Sequence, residues 1–264
     1  MSESLGTRQR FAIGIEYDGS AYHGWQIQPH AASIQQCLNE ALSVVADSSI
    51  ECTGAGRTDT GVHASGQVAH FDTSARRSLR SWLLGVNSNL PDDIAVQWVA
   101  PVTTDFHARF SAVARSYRYV ILNRPARPAI KRQYAWWINQ PLDHERMADS
   151  AADLVGEFDF TSFRASTCQS HSAVRTITNL SIHRDGYYIY IECRANAFLH
   201  HMVRNLVGSL VRVGKKEEEV GWIRQILESR DRKVSGMTAP AAGLTLIRVE
   251  YPAGALDQAA FSES

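Results

Sequence analysis

This chain lacks most of the features that mark secreted, membrane or metal-scaffolded proteins. It has 4 cysteines in 264 residues, Cys37, Cys52, Cys168 and Cys193, with no Cys-x-x-Cys pair. Such scattering argues against a disulfide framework or a structural zinc site, and the thiols read as reduced and mostly buried. No apolar run approaches the ~20 residues a membrane helix needs. Met1 to Arg10 is polar and shows no apolar core of a signal peptide. A cytoplasmic protein without a membrane partner is therefore expected. There is no net charge either, with 27 basic against 27 acidic side chains. Acid is missing from particular stretches, however. Phe106 to Leu142 has no Asp or Glu but carries Arg109, Arg115, Arg118, Arg124, Arg127, Lys131 and Arg132. Cys193 to Lys216 is also acid-free, with Arg194, Arg204, Arg212, Lys215 and Lys216, and Arg76, Arg77 and Arg80 form a third basic group. The acids gather at Asp143 to Asp159 and Glu217 to Glu219. A neutral total thus leaves room for a phosphate-binding face with salt-sensitive affinity.

Apolar residues make up 44% of the chain, enough for real cores. Strand and helix patterns alternate along it. Phe11 to Tyr17 reads as a strand, and Ser33 as the N-cap of a helix with Ile34, Cys37, Leu38, Ala41, Leu42 and Val45 on one face. Gln67 to Phe71 and Ile94 to Val99 read as strands around a helix carrying Leu79, Trp82, Leu83 and Val86. In the second half, Arg115 to Leu122 and Tyr134 to Ile138 read as strands, and Asp143 to Val155 as a helix. Val174 to His183 and Tyr187 to Cys193 form a hairpin pattern closed by Asp185-Gly186. Helices follow at Phe198 to Val213 and Val220 to Leu227, then a strand at Leu244 to Val249. Lys215-Lys216 marks a helix boundary, and Glu217 to Glu219 suit the start of the next helix. Two α+β halves are expected, residues 1–112 and 113–264, with no repeat visible at residue level.

The most informative segment is Gly54 to Phe71, GAGRTDTGVHASGQVAHF. It sets Arg57 and Asp59 two apart in a glycine-punctuated loop leading into a strand. It is no Walker loop, because Asp59-Thr60-Gly61 stands where Gly-Lys-Ser/Thr is needed. A dinucleotide loop fails as well: counting from Gly56, Asp59 takes the third glycine's place, and its carboxylate would repel a pyrophosphate.

This segment resembles the signature of the TruA family of tRNA pseudouridine synthases. Tyr17-Asp18-Gly19, Tyr22-His23-Gly24-Trp25-Gln26, Phe106-His107-Ala108-Arg109-Phe110, Arg115-Ser116-Tyr117-Arg118-Tyr119, Phe198 to Asn205 and Ala239 to Leu246 resemble further blocks of that family, in family order. One departure is Ala173, where the pattern has proline. The resemblance implies tandem ferredoxin-like halves, forming a joined, mainly antiparallel sheet with helices on one face and a catalytic cleft between the halves. It also implies a homodimer acting on tRNA uridines at positions 38, 39 and 40, in the anticodon stem and loop.

Pseudouridine formation breaks the N1–C1′ bond of uridine and reattaches the uracil through C5. It requires no redox change, so neither cofactor nor metal is expected. Asp59 is the candidate catalytic carboxylate, open to attack on the base, attack on C1′ or acid–base work around a glycal. The resemblance makes Arg204 its cationic partner and Tyr117 a ring that stacks on uracil or passes a proton, with Tyr119 left to packing. Arg57 is implied in extruding the target base, and Thr58, His63 and Tyr117 join it as substrate-binding residues. His63, His70, His107, His200 and His201 fit no zinc-ligand spacing. Two rivals remain: a non-catalytic RNA-binding protein or tRNA chaperone on the same scaffold, which has no need of Asp59, and a hydrolase that releases uracil.

Overall fold

Strand β1 (Gln9–Tyr17) buries Phe11, Ala12, Ile13, Ile15 and Tyr17, side chains from both of its faces. That is why its polar–apolar alternation is weak in the sequence. In the computed structural model, which describes residues 8–256, the chain divides into two compact units. Residues 8–113 and 246–256 form the first, and Ala114–Thr245 the second.

In the first unit, the Ser33 side chain accepts the Gln36 N–H at 3.3 Å and opens α1 (Ile34–Ala46). Ile34, Leu38, Ala41, Leu42 and Ala46 make its buried face. Val45, expected on that face, instead packs on Gly85 of α2. Then follow β2 (Thr53–Gly54), β3 (His63–Thr73), α2 (Leu79–Asn87) and β4 (Ile94–Val102). The strand order is β4-β1-β3, with β2 also on β3, and every pairing is antiparallel. Since β1 and β2 both run against β3, they are parallel to each other, and α1 is their crossover. This split βαβ is the ferredoxin-like arrangement. Its core centres on Phe71, whose ring lies 5.6 Å from Phe11 and 5.1 Å from Trp82 of α2. Leu79, at the start of α2, is exposed, so Trp82 and Val86 carry that helix's buried face.

The second unit repeats the plan. It holds β5 (Ala114–Asn123), β6 (Trp136–Ile138), α3 (His144–Ala152), β7 (Gly156–Asp159), β8 (Val174–Asp185), β9 (Tyr188–Ala195), α4 (Met202–Gly214) and α5 (Trp222–Ser229). The order is β5-β9-β8-β7, all antiparallel, with β6 parallel to β5. Here β5 and β8 flank β9, and α3 lies in the crossover. Strand β10 (Leu244–Glu250) follows, and from Leu246 on it belongs to the first unit. The chain is thus α+β with mainly antiparallel strands, as expected.

Three local differences from expectation have simple causes. Helix α4 begins at Met202, not Phe198, because His201 adopts a left-handed conformation, φ 60°, that no helix continues. The hairpin pairs Asp185 with Tyr188, so Gly186 (φ 55°) and Tyr187 form the turn, one residue later than expected. Glu217 and Glu218 do not serve α5's N-terminus. They fold back on Arg212 of α4 at 3.4 and 2.5 Å, while Glu219 pairs with Arg146 at 3.2 Å.

Candidate active site

In the first unit, Asp59 stands on the loop between β2 and β3, half-buried, with Arg57 exposed two residues before it. Hydrogen bonds fix the loop from several sides. The Ala55 N–H donates to the Val68 carbonyl at 2.7 Å, and the Gln67 side chain donates to the Gly56 carbonyl at 2.8 Å. The Trp25 N–H donates to the Thr58 carbonyl at 3.0 Å. Thr58 Oγ1 shares a 2.8 Å bond with the Tyr17 hydroxyl, whose burial raises its pKa above the usual value. The Val62 N–H closes onto the Asp59 carbonyl at 3.1 Å. Gly24 makes this closeness possible. Its φ is 92°, and a Cβ there would collide with the Thr58 carbonyl oxygen.

Two sequence candidates lie inside this support. Thr58 is 7% exposed and bonded to Tyr17, and His63 is 3% exposed, with Nδ1 accepting the Gly19 N–H at 3.1 Å. Both shape the loop; Arg57 is the one among the first unit's substrate candidates that is exposed. Sequence reasoning singled out none of the loop's holders. Tyr17 and Gly24 lay in quoted motifs, but no pattern marks a tyrosine as the partner of a threonine 41 residues away.

In the second unit, Arg204 lies on the first turn of α4, half-buried. Its Nε donates to the Ala239 carbonyl at 2.8 Å, and its own carbonyl accepts the Ala239 N–H at 3.1 Å. The segment 236–239 lies on the helix because Gly208 has no side chain; a Cβ there would strike the Met237 carbonyl. A polar cluster ties this segment down. Arg232 donates to Asn205 Oδ1 at 3.0 Å, Thr238 Oγ1 at 3.1 Å, Ser235 Oγ at 2.5 Å and the Gly236 carbonyl at 3.1 Å. Thr238 Oγ1 donates to Asn205 Oδ1 at 2.7 Å, and the Asn205 amide donates to the Phe163 carbonyl at 2.7 Å. Desolvation lowers the Arg232 pKa from its ordinary value.

Both tyrosines of β5 are buried, Tyr119 at 0% and Tyr117 at 8% exposure. Tyr119 is fully buried and its hydroxyl donates to the Pro240 carbonyl at 2.8 Å, with Gly243 beneath its ring. Tyr117 meets Phe198 edge-to-face at 5.0 Å.

The basic stretches are not uniformly available for phosphate. Arg212 pairs with Glu217 and Glu218 and covers the Trp222 ring at 4.8 Å. Lys215 pairs with Glu217 at 3.8 Å, Lys216 with Asp143 at 3.3 Å, and Arg118 with Glu192 at 2.7 Å. Arg76, Arg77, Arg80 and Arg109 are exposed. Several histidine nitrogens suited to a metal are already acceptors. His70 Nδ1 takes the Ala108 N–H at 3.2 Å, and His107 Nδ1 takes those of Arg109 and Phe110 at 3.1 and 3.2 Å. Cys52 and Cys193 are buried thiols pushed up to about 12 by desolvation. No helix among the described residues is long and apolar enough to cross a membrane.

A family model described as tRNA pseudouridine synthase matches residues 13–111 and 150–252. A tRNA pseudouridine synthase A of Hydrogenovibrio crunogenus is 54% identical over 241 residues, 91% of this chain and 92% of that one. Those of Shewanella amazonensis and Actinobacillus pleuropneumoniae serotype 7 are 54% and 53% identical over 243 residues, 92% of this chain and 93% of each. With both units covered by the family match and the Asp59 loop built as a rigid mount for one carboxylate, the chain belongs to the tRNA pseudouridine synthase family.

Proposed function

We propose that this protein isomerises uridine to pseudouridine in tRNA, at positions 38, 39 and 40 of the anticodon stem and loop, with Asp59 as the catalytic carboxylate. The observation that carries the reading is the clamped loop: it holds an incompletely buried carboxylate in one place without burying its charge. Isomerisation needs such a group. The N1–C1′ bond breaks, the uracil turns, the C5–C1′ bond forms, the C5 proton leaves and N1 gains one. The C5 hydrogen that leaves is replaced by one at N1, so the RNA keeps its composition and no electron is transferred; the residues supply only positioning, a nucleophile or base, and proton movement. Arg204 is the cationic catalytic residue of this reading. Tyr117 stacks on the uracil so that the cut base stays in place. Arg57 helps draw the uridine from the stack, and Thr58 and His63 serve binding through the shape of the loop. Selection of adjacent positions follows from RNA shape more than base identity. A homodimer in the cytoplasm completes the reading.

The test is tritium release from tRNA labelled at uracil C5, by native protein and by Asp59→Ala. Release by the native protein and none by the variant is the expected result. Salt-sensitive tRNA binding without release from either protein places the chain with non-catalytic RNA-binding proteins. Free uracil among the products makes it a hydrolase.

A further inference from the structure

We infer that Phe110, in the first unit, is a stacking platform for an unpaired base of tRNA, remote from the base being isomerised. The inference rests on tRNA being the substrate. Phe110 is 76% exposed, yet it is not a loose surface side chain. Its ring stacks on His107 with centroids 4.3 Å apart and planes 30° from parallel. His107 in turn lies 4.6 Å from His70 of β3, and Phe106 meets the other side of this group edge-on to His70 at 6.3 Å. The two N–H bonds that His107 Nδ1 accepts from Arg109 and Phe110 lock the turn that carries the ring. The result is a column of rings rooted in the sheet, His70 to His107 to Phe110, whose outermost ring is largely exposed with the Arg109 guanidinium over it. Burial lowers both imidazoles, His70 to about 4, so the column is neutral at physiological pH and offers π-faces.

The surroundings favour nucleic acid over a protein partner. Arg109 is exposed, with its guanidinium carbon 5.6 Å from the Phe110 ring centroid, and it is the first basic residue of the acid-free stretch from Phe106 to Leu142. Asp72, on the same end of β3, is held by Arg10 in a two-bond pair at 2.7 and 2.8 Å, and Arg10 also donates to the Thr104 and Phe106 carbonyls. Exposed Arg76 and Arg77 line a hollow with Gln9 and Ser74 at that end. An aromatic ring with a π-face beside arginines is the arrangement that binds single-stranded bases and their phosphates without reading sequence. The distance also fits a contact outside the chemistry. The loop begins beside His70, where Thr53 and Gly54 pair with His70 and Ala69, but Asp59 closes onto Val62 at the other end of β3; His63 and His70 lie seven residues apart, roughly 23 Å at ~3.3 Å per residue, so Phe110 is far from Asp59 itself. It contributes to holding tRNA and not to the reaction itself.

The experiment compares native protein with Phe110→Ala, Phe110→Leu and Phe110→Trp, by steady-state kinetics on a full-length tRNA transcript and by fluorescence anisotropy of labelled tRNA. The expected result is a rise in KM and in Kd on the order of 5- to 150-fold for Ala and Leu, the range of one base–aromatic stack, with kcat unchanged. Trp should bind like the native protein. Native-like binding by Phe110→Ala overturns the inference. So does rescue by Leu as complete as by Trp, which would show an apolar contact and not a stack. A change in oligomeric state of Phe110→Ala by light scattering would place the ring in a contact between protein chains and overturns it too. Because anisotropy reads the stack without turnover, inactivity of the native protein would count against the proposed reaction while leaving the platform tested.

Discussion

Asp59 stands on a loop and Arg204 on a helix, and the chain around each meets a different physical demand. A loop has no ladder of its own, so the Asp59 segment borrows one: β1 lends Tyr17, β3 lends Gln67 and Val68, and the Gly24 segment presses its backbone against Thr58. All of these contacts are between uncharged groups. Helix α4 already fixes the Arg204 backbone, so what remains is to direct the side chain. The Ala239 carbonyl does that, held by a cationic cluster around Arg232 and by the missing side chain of Gly208. A loop-borne group is thus secured by close backbone approach, and a helix-borne group by a segment laid across it.

The comparison can be broken most severely at Asp59 itself. Asp59→Asn keeps the size and removes the charge, and a loss of roughly 10²–10⁴-fold in kcat with unchanged melting is expected. Gly24→Ala comes next. It forces a side chain onto a positive φ and into the Thr58 carbonyl, so the loop must shift. We expect kcat to fall at least about tenfold, because misplacement by ~1 Å is felt in the chemistry, while Kd for tRNA changes little. Native-like kcat in Gly24→Ala would show that the close approach is not what positions the loop. On the helix side, Arg232→Ala strips charged hydrogen bonds from Asn205 and Thr238 and should cost about 1.5–3 kcal/mol in denaturant melts. Its kcat should fall more than its KM rises if the cluster directs Arg204. Tyr17→Phe removes one buried hydrogen bond from Thr58 and should cost about 1 kcal/mol, with a smaller drop in kcat.

A further effect separates the units by pH. Burial holds the His70 imidazole near 4, below its ordinary 6.5, with His107 and Arg10 pushing the same way and Asp72 opposing. The unfolded chain therefore binds more protons than the folded one between these values. The stability of the first unit is full above about 6.5 and declines as pH falls toward about 4. Hydrogen exchange at pH 7 and pH 5 should show β3 losing more protection than β9, and His70→Gln should narrow that difference. Equal loss in both strands would remove His70 from the account.

Much of the local structure was legible in the sequence. The Ser33 cap, the face Ile34–Leu38–Ala41–Leu42, the strand containing Tyr117 and Tyr119, and the hairpin around Gly186 are short-range patterns, and capping, periodicity and turn chemistry act over a few residues. The loop Gly54 to Val62 also stood out, because its glycines and its Arg-x-Asp have no use in a core. What did not show was support drawn from afar. Tyr17 meets Thr58 across 41 positions, and Arg204 meets Ala239 across 35. Gln67 reads as an ordinary polar strand residue, yet it is fully buried because β3 is covered on both faces. The left-handed His201 that delays α4 has no marker such as glycine.

The sequence by itself determined the elements, the α+β class and the family, because local propensities and motif order are written in neighbouring residues. Only the tertiary structure decided that Thr58 and His63 face inward, that Arg212 is matched by Glu217 and Glu218, and that Phe110 ends a column of rings. Each of those outcomes depends on which distant side chains share a space, and a hydrogen bond, an ion pair or a ring stack exists only once the fold has brought its two partners within a few ångströms.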